Sequence, residues 1–580
     1  MLTRYLKKEG GILNLLYRLK SHLSKQRKKQ YSLLLILMIC LAFAETISLA
    51  SIIPFVGIFL DPETFFSHPW SAIFIDFFGI TNNEKILLLI TIIFIFLASV
   101  SGLIKILFIH SSNAITGLTE ADFKSMIFKY NISQAYDYHL RQNSNLVMSN
   151  LIQKTLHVST ILTYVSHILS AVMIIFLVVI FLIYINSKVT LSIALIIITF
   201  FTIIALIKKR RFLINSQQIS ESQNRIVNIF QDSVGYVSDI IIYSLQNIFI
   251  SNFDKAAYRI AENYRYNRNV GETPRIYLEC IALISLAILI FIFGSNKSEI
   301  ATNLTFLAAL GLAAQKILPL FYRVFNHYSQ IRTNQFILKD ILDLLDRSKK
   351  ENAIVNFSKK LDFKKSIKLN NVYFSYNKDN RWILKNINLE IKKGSMVGIK
   401  GSTGSGKSTL GNLIIGLLDP TEGQIFVDDI LINSQNKISW QKNFSIIPQK
   451  IFLHDVSIAE NIAIGIEPNK INLEKVKSAA KQARISDFIE STPKQYDEKV
   501  GERGIKLSGG QQQRIGIARA LYRNSEVILC DEATNQLDTD TESLVMQSIN
   551  ELDKETTIIF IAHRLSTLEK CDEVIDLTKF

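Results

Sequence analysis

Val397-Gly398-Ile399-Lys400-Gly401-Ser402-Thr403-Gly404-Ser405-Gly406-Lys407-Ser408 reads as an apolar strand entering a glycine-rich turn that opens an apolar helix. Its second half, Gly401 to Ser408, fits the phosphate loop G-x-x-x-x-G-K-S/T, and a strand before it with a helix after it is the context that supports the match. Glycines let successive backbone N–H groups converge on phosphate oxygens, and the helix N-terminus adds partial positive charge. Lys407 is placed to reach the β- and γ-phosphates and Ser408 to ligate Mg²⁺. Gly401, Ser402, Thr403, Gly404, Ser405, Gly406 and Thr409 complete the expected nucleotide cradle. By itself this pattern is shared by many ATPases and GTPases.

Further along, Val527-Ile528-Leu529-Cys530-Asp531-Glu532 is a buried-type strand that delivers Asp531 to a metal, the Walker B arrangement. Glu532 follows directly, where it can orient an attacking water. An Asp-Glu pair elsewhere is usually a solvated turn, but not at the end of such a strand. From Ile367 onward apolar strands, including Ile558-Ile559-Phe560-Ile561, alternate with helical runs, which implies an α/β domain.

Between these two elements lies Leu507-Ser508-Gly509-Gly510-Gln511, followed by Gln513-Arg514. It resembles the LSGGQ signature of ABC ATPases, and its position between phosphate loop and Walker B strand is the family order. Ser508, Gly509, Gly510 and Gln511 start a helix, a second anion-binding terminus. The resemblance implies that this terminus binds the γ-phosphate held by an opposite subunit. Tyr376 matches the aromatic residue that stacks on adenine. Gln449 matches the Q-loop glutamine that approaches Mg²⁺ and water and senses the membrane domain. Val500-Gly501-Glu502-Arg503-Gly504 resembles the exporter X-loop. Asp538 falls in the D-loop and His563 matches the switch histidine. Two departures are visible: the D-loop reads Asn535-Gln536-Leu537-Asp538 where Ser-Ala-Leu-Asp is usual, and the sequence stops at Phe580, so a curtailed final strand and helix are expected. The implied cofactors are ATP and Mg²⁺. One chain supplies only half of each ATP site, and with every motif intact a homodimer is the expected assembly.

The rest of the 580 residues differ in kind. Nearly half the chain, 48%, is apolar, which suits a protein part membrane and part cytosol. The formal charge of +15 raises the question of nucleic acid. Lysines and arginines crowd the first thirty residues, the run Lys208-Lys209-Arg210-Arg211 and the C-terminal half, and avoid the short links between apolar stretches. That is the positive-inside pattern, and no nucleic-acid partner is expected. A membrane-crossing helix needs roughly 20 mostly apolar residues. Six stretches qualify, at 31–59, 85–110, 158–186, 189–207, 275–295 and 303–325. The polar segments 111–157 and 208–274 then face the cytosol with both termini, as helical extensions whose turns near Tyr136–Asn145 and Ser233–Ser238 touch the ATPase domain. No cleavable signal peptide is expected, because the first apolar run is too long. Residues 1–30 read as a basic amphipathic helix on the inner membrane surface, with a disordered arm as the plain alternative. Pro69–Phe78, short and aromatic, reads as an interfacial helix or an ordinary packed loop. Cys40, Cys280, Cys530 and Cys571 show no metal-ligand spacing and read as core thiols in a reducing compartment.

The expected fold class is therefore a multidomain membrane protein: a six-helix all-α transmembrane domain followed by an α/β P-loop ABC nucleotide-binding domain. The expected boundaries are 1–30, 31–347, a linker at 348–365, and 366–580. The whole plan resembles an ABC exporter half-transporter of a bacterial inner membrane, with the N-terminus and the ATPase domain in the cytoplasm.

Ionisable groups within apolar spans cost on the order of 3 kcal/mol at the bilayer centre and are functional candidates. Lys105, Arg275, Glu279, Lys316, Arg323 and Glu45 qualify by position. The plain alternative is that Arg275 and Arg323 snorkel to the interface and Glu279 pairs with one of them. Thr273-Pro274-Arg275-Ile276-Tyr277-Leu278-Glu279 resembles the corresponding stretch of PglK-type lipid-linked oligosaccharide flippases. The aromatic segment after the first span and the cationic position Lys316 before Leu318-Pro319 are also similar. The resemblance implies a membrane lipid partner, a polyprenyl-pyrophosphate-linked oligosaccharide flipped across the bilayer, with Lys105, Arg275 and Lys316 lining its cavity. An exporter of another lipid, a peptide or a drug is the competing reading. An ATP-gated regulator or channel is the remote one, disfavoured by the intact Glu532 and His563.

Overall fold

The computed structural model describes residues 11–52, 55, 83–142, 144–185, 187–294, 300–350, 359–376, 382–532, 539–550, 555–562 and 568–579. The chain divides into two compact units, Met1–Gln134 with Gln142–Ala353, and Ala135–Arg141 with Ile354–Phe580. Pro69–Phe78, Asp538 and His563 lie outside the described residues, as do residues 351–358 of the expected linker.

The first unit is helical. After a short helix α1 (Ile12–His22) come α2 (Lys25–Ala50) and α3 (Asn83–Ile132). A short helix α4 (Tyr136–Arg141) belongs to the second unit, and the chain then returns as α5 (Thr155–Ile185), α6 (Ser187–Gly235), α7 (Gln246–Gly294), α8 (Ile300–Thr333) and α9 (Gln335–Lys350). Ser24 starts α2: its hydroxyl accepts the Arg27 backbone N–H at 3.2 Å, a cap of a kind that contributes about 1 kcal/mol. Among the described residues, four segments are long and apolar enough to cross a membrane: Lys25–Ala50, Leu87–Ile132, Val147–Tyr184 and Thr190–Gly235. The two remaining apolar stretches lie on α7 and α8. At ~1.5 Å per residue the 50 residues of α3 far exceed a hydrocarbon core of ~30 Å, so its polar half continues beyond the bilayer. The outer faces carry exposed Phe96, Phe176 and Leu195, as lipid contact demands, and the chain is a multi-pass membrane protein.

Two cores hold this unit together. Leu34, Met38 and Leu41 of α2 pack with Phe108, Ala171, Ile174 and Leu320. Nearer the polar end, Phe123, Ile127, Val158 and Ile161 pack with Leu338, Ile341, Leu342 and Leu345 of α9. Helix α1 joins that second core through Leu15 and Leu19, and Arg18 clamps Asp343 at 2.7 Å and Asp346 at 2.6 Å. The amphipathic face of α1 is thus used against protein, and only the outward Leu13 and Tyr17 remain for a membrane surface. The long helices break near the two expected turns: the short helix α4 occupies most of Tyr136–Asn145, and the helix Val237–Ile242 begins within Ser233–Ser238.

The second unit has two sheets. One is antiparallel, in the order β2 (Leu384–Lys392), β1 (Ser366–Phe374), β4 (Glu422–Val427), β5 (Ile430–Leu431). The other is parallel, in the order β6 (Phe444–Ile447), β7 (Val527–Asp531), β8 (Thr557–Ile561), β3 (Met396–Lys400), β9 (Glu573–Asp576). Strands β7 and β8 are buried along nearly their whole length, as the unbroken apolar runs require. Strand β9 pairs with Val397–Lys400 over four residues. Helix α10 (Lys407–Ile415) buries Leu410, Leu413 and Ile414 on the sheet, and Gly411 permits the close approach, since a Cβ there would stand 3.0 Å from Ile561 Cδ1. Of the four cysteines only Cys530 is a fully buried core thiol, pushed up to about 12 by burial; Cys40 and Cys280 face outward.

Candidate functional site

In the second unit the C-terminal ends of β3, β6 and β7 bring the expected nucleotide residues together, where open parallel sheets bind ligands. The loop after β3 turns through Gly404 at φ 83° and Gly406 at φ 91°, conformations open to glycine, and delivers Lys407 and Ser408 to the first turn of α10. Lys407 Nζ donates to the carbonyls of Gly401 at 2.9 Å and Ser402 at 3.0 Å. Burial pulls this ammonium down from its ordinary value, opposed by the charges of Glu532 and Asp531. Ser405 Oγ is buried without a hydrogen-bond partner, an orphaned polar atom that fits a cradle shaped for oxyanions.

Ser408 Oγ donates to Asp531 Oδ1 at 3.3 Å. This pairing of a hydroxyl and a carboxylate fits a hard cation such as Mg²⁺. Burial pushes the Asp531 carboxyl up, Ser408 opposes it, and the Glu532 charge adds to the rise. Gln449, two residues beyond β6, donates from Nε2 to Glu532 Oε2 at 2.6 Å. Glu532 itself has φ 49°, and its N–H is held by the Ile561 carbonyl at 2.9 Å. A non-glycine residue there costs on the order of 1 kcal/mol or more, and such strain collects at functional sites. Tyr376 lies just past β1, its hydroxyl 3.2 Å from Thr409 Oγ1 and its ring edge-on to Phe374.

The signature stands apart from these groups within its own helix, α11 (Gly509–Arg523). Ser508 and Gln511 form a capping box: Gln511 N–H donates to Ser508 Oγ at 3.3 Å and Ser508 N–H to Gln511 Oε1 at 2.9 Å. Gly509 and Gly510 form the first turn, so the helix offers its free N–H groups outward. Asp538 and His563 are outside the described residues. Sequence reading missed one contact: Arg141 Nη2 of α4 donates to the Tyr376 backbone carbonyl at 2.8 Å. No local motif announces a bond between residues so far apart in the chain.

The first unit contains a separate cavity of about 370 Å³. Its polar lining includes Glu45, Lys105, Lys316, Arg323, His167, His327 and Ser170; Leu41, Phe108, Ile174 and Leu320 contribute to an apolar wall. Lys105 Nζ lies 3.1 Å from Glu45 Oε1 and Lys316 Nζ 2.8 Å from Glu45 Oε2. His327 stacks on Tyr164 with centroids 4.8 Å apart and lies 5.5 Å from His167. Two of the three expected cavity cations therefore meet. Arg275 does not join them: it is exposed, pairs with Glu279 one helical turn on at 2.8 Å, and lies over the Tyr322 ring at 5.8 Å. The histidines went unnoticed in the sequence, although His327 follows Arg323 at helical spacing.

The model of the family described as ABC transporter matches residues 384–535. A heterocyst differentiation ATP-binding protein HepA from Nostoc sp. is 35% identical over 295 residues, 50% of this chain and 47% of that protein. An ATP-dependent lipid A-core flippase from Pasteurella multocida is 42% identical over 205 residues, 35% of each chain. Against these the chain spans half or less of the relatives' length. Another protein of that name, from Shewanella frigidimarina, is 27% identical over 541 residues, 91% of this chain and 88% of its own. The solved structure of a bacterial Atm1-family ABC exporter with ATP bound superposes with a TM-score of 0.77 at 24% identity, covering 95% of this chain and 93% of that one. The second unit is thus an ABC transporter ATPase domain, of a family that uses ATP with Mg²⁺. With the helical unit before it, the chain has the fold of the exporter structure on which it superposes.

Proposed function

We propose that this chain, paired with a second copy of itself, is an ATP-hydrolysing exporter that flips a polyprenyl-pyrophosphate-linked oligosaccharide across a bacterial inner membrane. The observation that carries the lipid reading is the cavity of the first unit, which Lys105, Lys316 and Arg323 line together with an apolar wall. Cations there attract a phosphorylated head group, while the wall and the surrounding bilayer accept an acyl or prenyl chain. Relatives named as lipid A-core flippases support a lipid substrate, and they favour one second reading, a different phosphorylated glycolipid.

Lys407, Ser408, Asp531 and Gln449 hold the nucleotide and its Mg²⁺, Glu532 orients the attacking water, and the switch role falls to His563. ATP closes two ATPase domains head to tail, each phosphate loop facing the partner's Ser508–Gln511 signature. Six membrane crossings, with both termini and the ATPase domain cytoplasmic, complete the proposal. The apolar residues Val237, Ile241 and Ile242 are exposed, which suits a dimer.

The test is ATP-dependent flipping in liposomes of a labelled polyprenyl-pyrophosphate oligosaccharide beside a labelled lipid A-core, with Glu532→Gln as control. Flipping of the first by the native chain alone supports the proposal. Flipping of the second alone moves the substrate to the other glycolipid, and ATP turnover with neither excludes both.

A further inference from the structure

Glu45 holds a singular place in the membrane cavity. Its side chain is only 11% exposed, and its two oxygens are divided between lysines of two different helices, Lys105 of α3 and Lys316 of α8. Arg323 brings a third cation to the same lining, so with His167 and His327 neutral the cavity keeps a surplus of two positive charges. A carboxylate in this position makes two neighbouring ammonium groups tolerable at membrane depth. It also occupies the groups that a phosphate oxyanion would take.

We infer that Glu45 is an internal counter-ion that competes with the head group for Lys105 and Lys316, giving way when ligand binds and re-engaging as it leaves. The inference rests on the phosphorylated-lipid reading of this cavity. Its consequence is selectivity. A head group with a single negative charge only exchanges one monoanion for another and gains little Coulomb energy. A head group with two or more charges gains from both lysines and from Arg323, and displaces the carboxylate. The cavity should therefore select multiply charged phosphoryl amphiphiles and reject fatty acids and phosphodiester lipids of similar apolar bulk. The same carboxylate favours release, because it restores the ion pairs without ligand. Removing it should tighten binding and slow export, opposite to the effect of losing a structural strut.

The experiment uses the full chain in phosphatidylcholine nanodiscs, with radiolabelled farnesyl pyrophosphate and oleate as probes. The native protein is expected to bind the pyrophosphate and discriminate against oleate. Glu45→Gln should bind the pyrophosphate about tenfold more tightly and admit oleate, and Glu45→Asp, with shorter reach, should tighten it about threefold. Lys105→Ala with Lys316→Ala should lose pyrophosphate binding. If Glu45→Gln binds the pyrophosphate no tighter than native while the double lysine variant still loses it, the counter-ion inference is overturned and the head-group reading stands. If the native and double lysine proteins bind it alike, or neither binds it, both fall. Should Glu45→Gln fail to fold, Glu45→Asp decides: binding no tighter than native overturns the inference.

Discussion

Gln449 and Glu532 meet because of strand register: Ile447 of β6 pairs with Cys530 of β7, and two residues beyond each lies one member of the pair. Their side chains close to 2.6 Å, Gln449 Nε2 donating to Glu532 Oε2. The bond joins the loop expected to sense the membrane domain to the carboxylate expected to orient water. Glu532→Gln should lower ATP turnover by about 10²-fold or more and leave an ATP-stabilised dimer. Phosphate release and the mass of the ATP-bound species check this; turnover at the native rate rejects Glu532 as the base.

Arg141 sits on the only described part of the preceding helical loop that clusters with the ATPase sheets, and it grips the backbone of Tyr376. Tyr376 is the residue expected to stack on adenine, so this bond should tune nucleotide affinity. Arg141→Ala should raise the half-saturating ATP concentration about threefold with a smaller change in maximal rate, since the donor is exposed and solvent-screened. Arg141→Lys should recover part of the loss. Steady-state ATPase kinetics report both numbers.

Lys316 and Arg275 should part company in transport. Lys316→Ala leaves Glu45 with one partner in a largely buried setting and removes a cavity cation, so substrate movement should fall by about tenfold. Arg275 is exposed and locally paired, and Arg275→Ala should change movement by less than about twofold. Equal losses in the flipping assay would place Arg275 back on the substrate path.

The α1 anchor should be acid-sensitive. Burial raises the Asp346 carboxyl, but hydrogen bonds from His22 and Arg18 outweigh it and hold the group below its ordinary value of 3.8. A carboxylate depressed by folding contributes stability that is complete above its unfolded value and is lost as pH falls through the folded one. Limited proteolysis near Arg18 should therefore be flat at neutral pH and rise only in strong acid. Asp346→Asn should loosen α1 already at pH 7, by about 1 kcal/mol after screening, while Leu15, Leu19 and the Arg18–Asp343 pair still hold it.

The nucleotide site was legible because its parts are contiguous motifs at the ends of recognisable strands. Gly401 to Ser408, Asp531 with Glu532, and Ser508 with Gln511 are each written within a few residues. Backbone geometry then carries them to their places: left-handed glycines in the loop, a capping box at the signature. The cavity was legible only as a set of candidates. Glu45 and Lys316 are separated by 271 positions, and apolar flanks say which residues are in the membrane, not which helix faces meet. Helix α1 shows the same limit, since an amphipathic period identifies a buried face without naming the surface that buries it.

By itself, then, the sequence determined the class of the ATPase domain, the apolar stretches with their polarity, and the order of both along the chain. These follow from local spacing, propensity and charge. Tertiary structure alone decided that Lys105 and Lys316 share one carboxylate, that Arg275 stands aside with Glu279, that Arg141 holds Tyr376, and that α1 docks on α9. Each depends on which faces of distant helices and strands come together, and packing complementarity summed over the whole fold settles that, not any one segment.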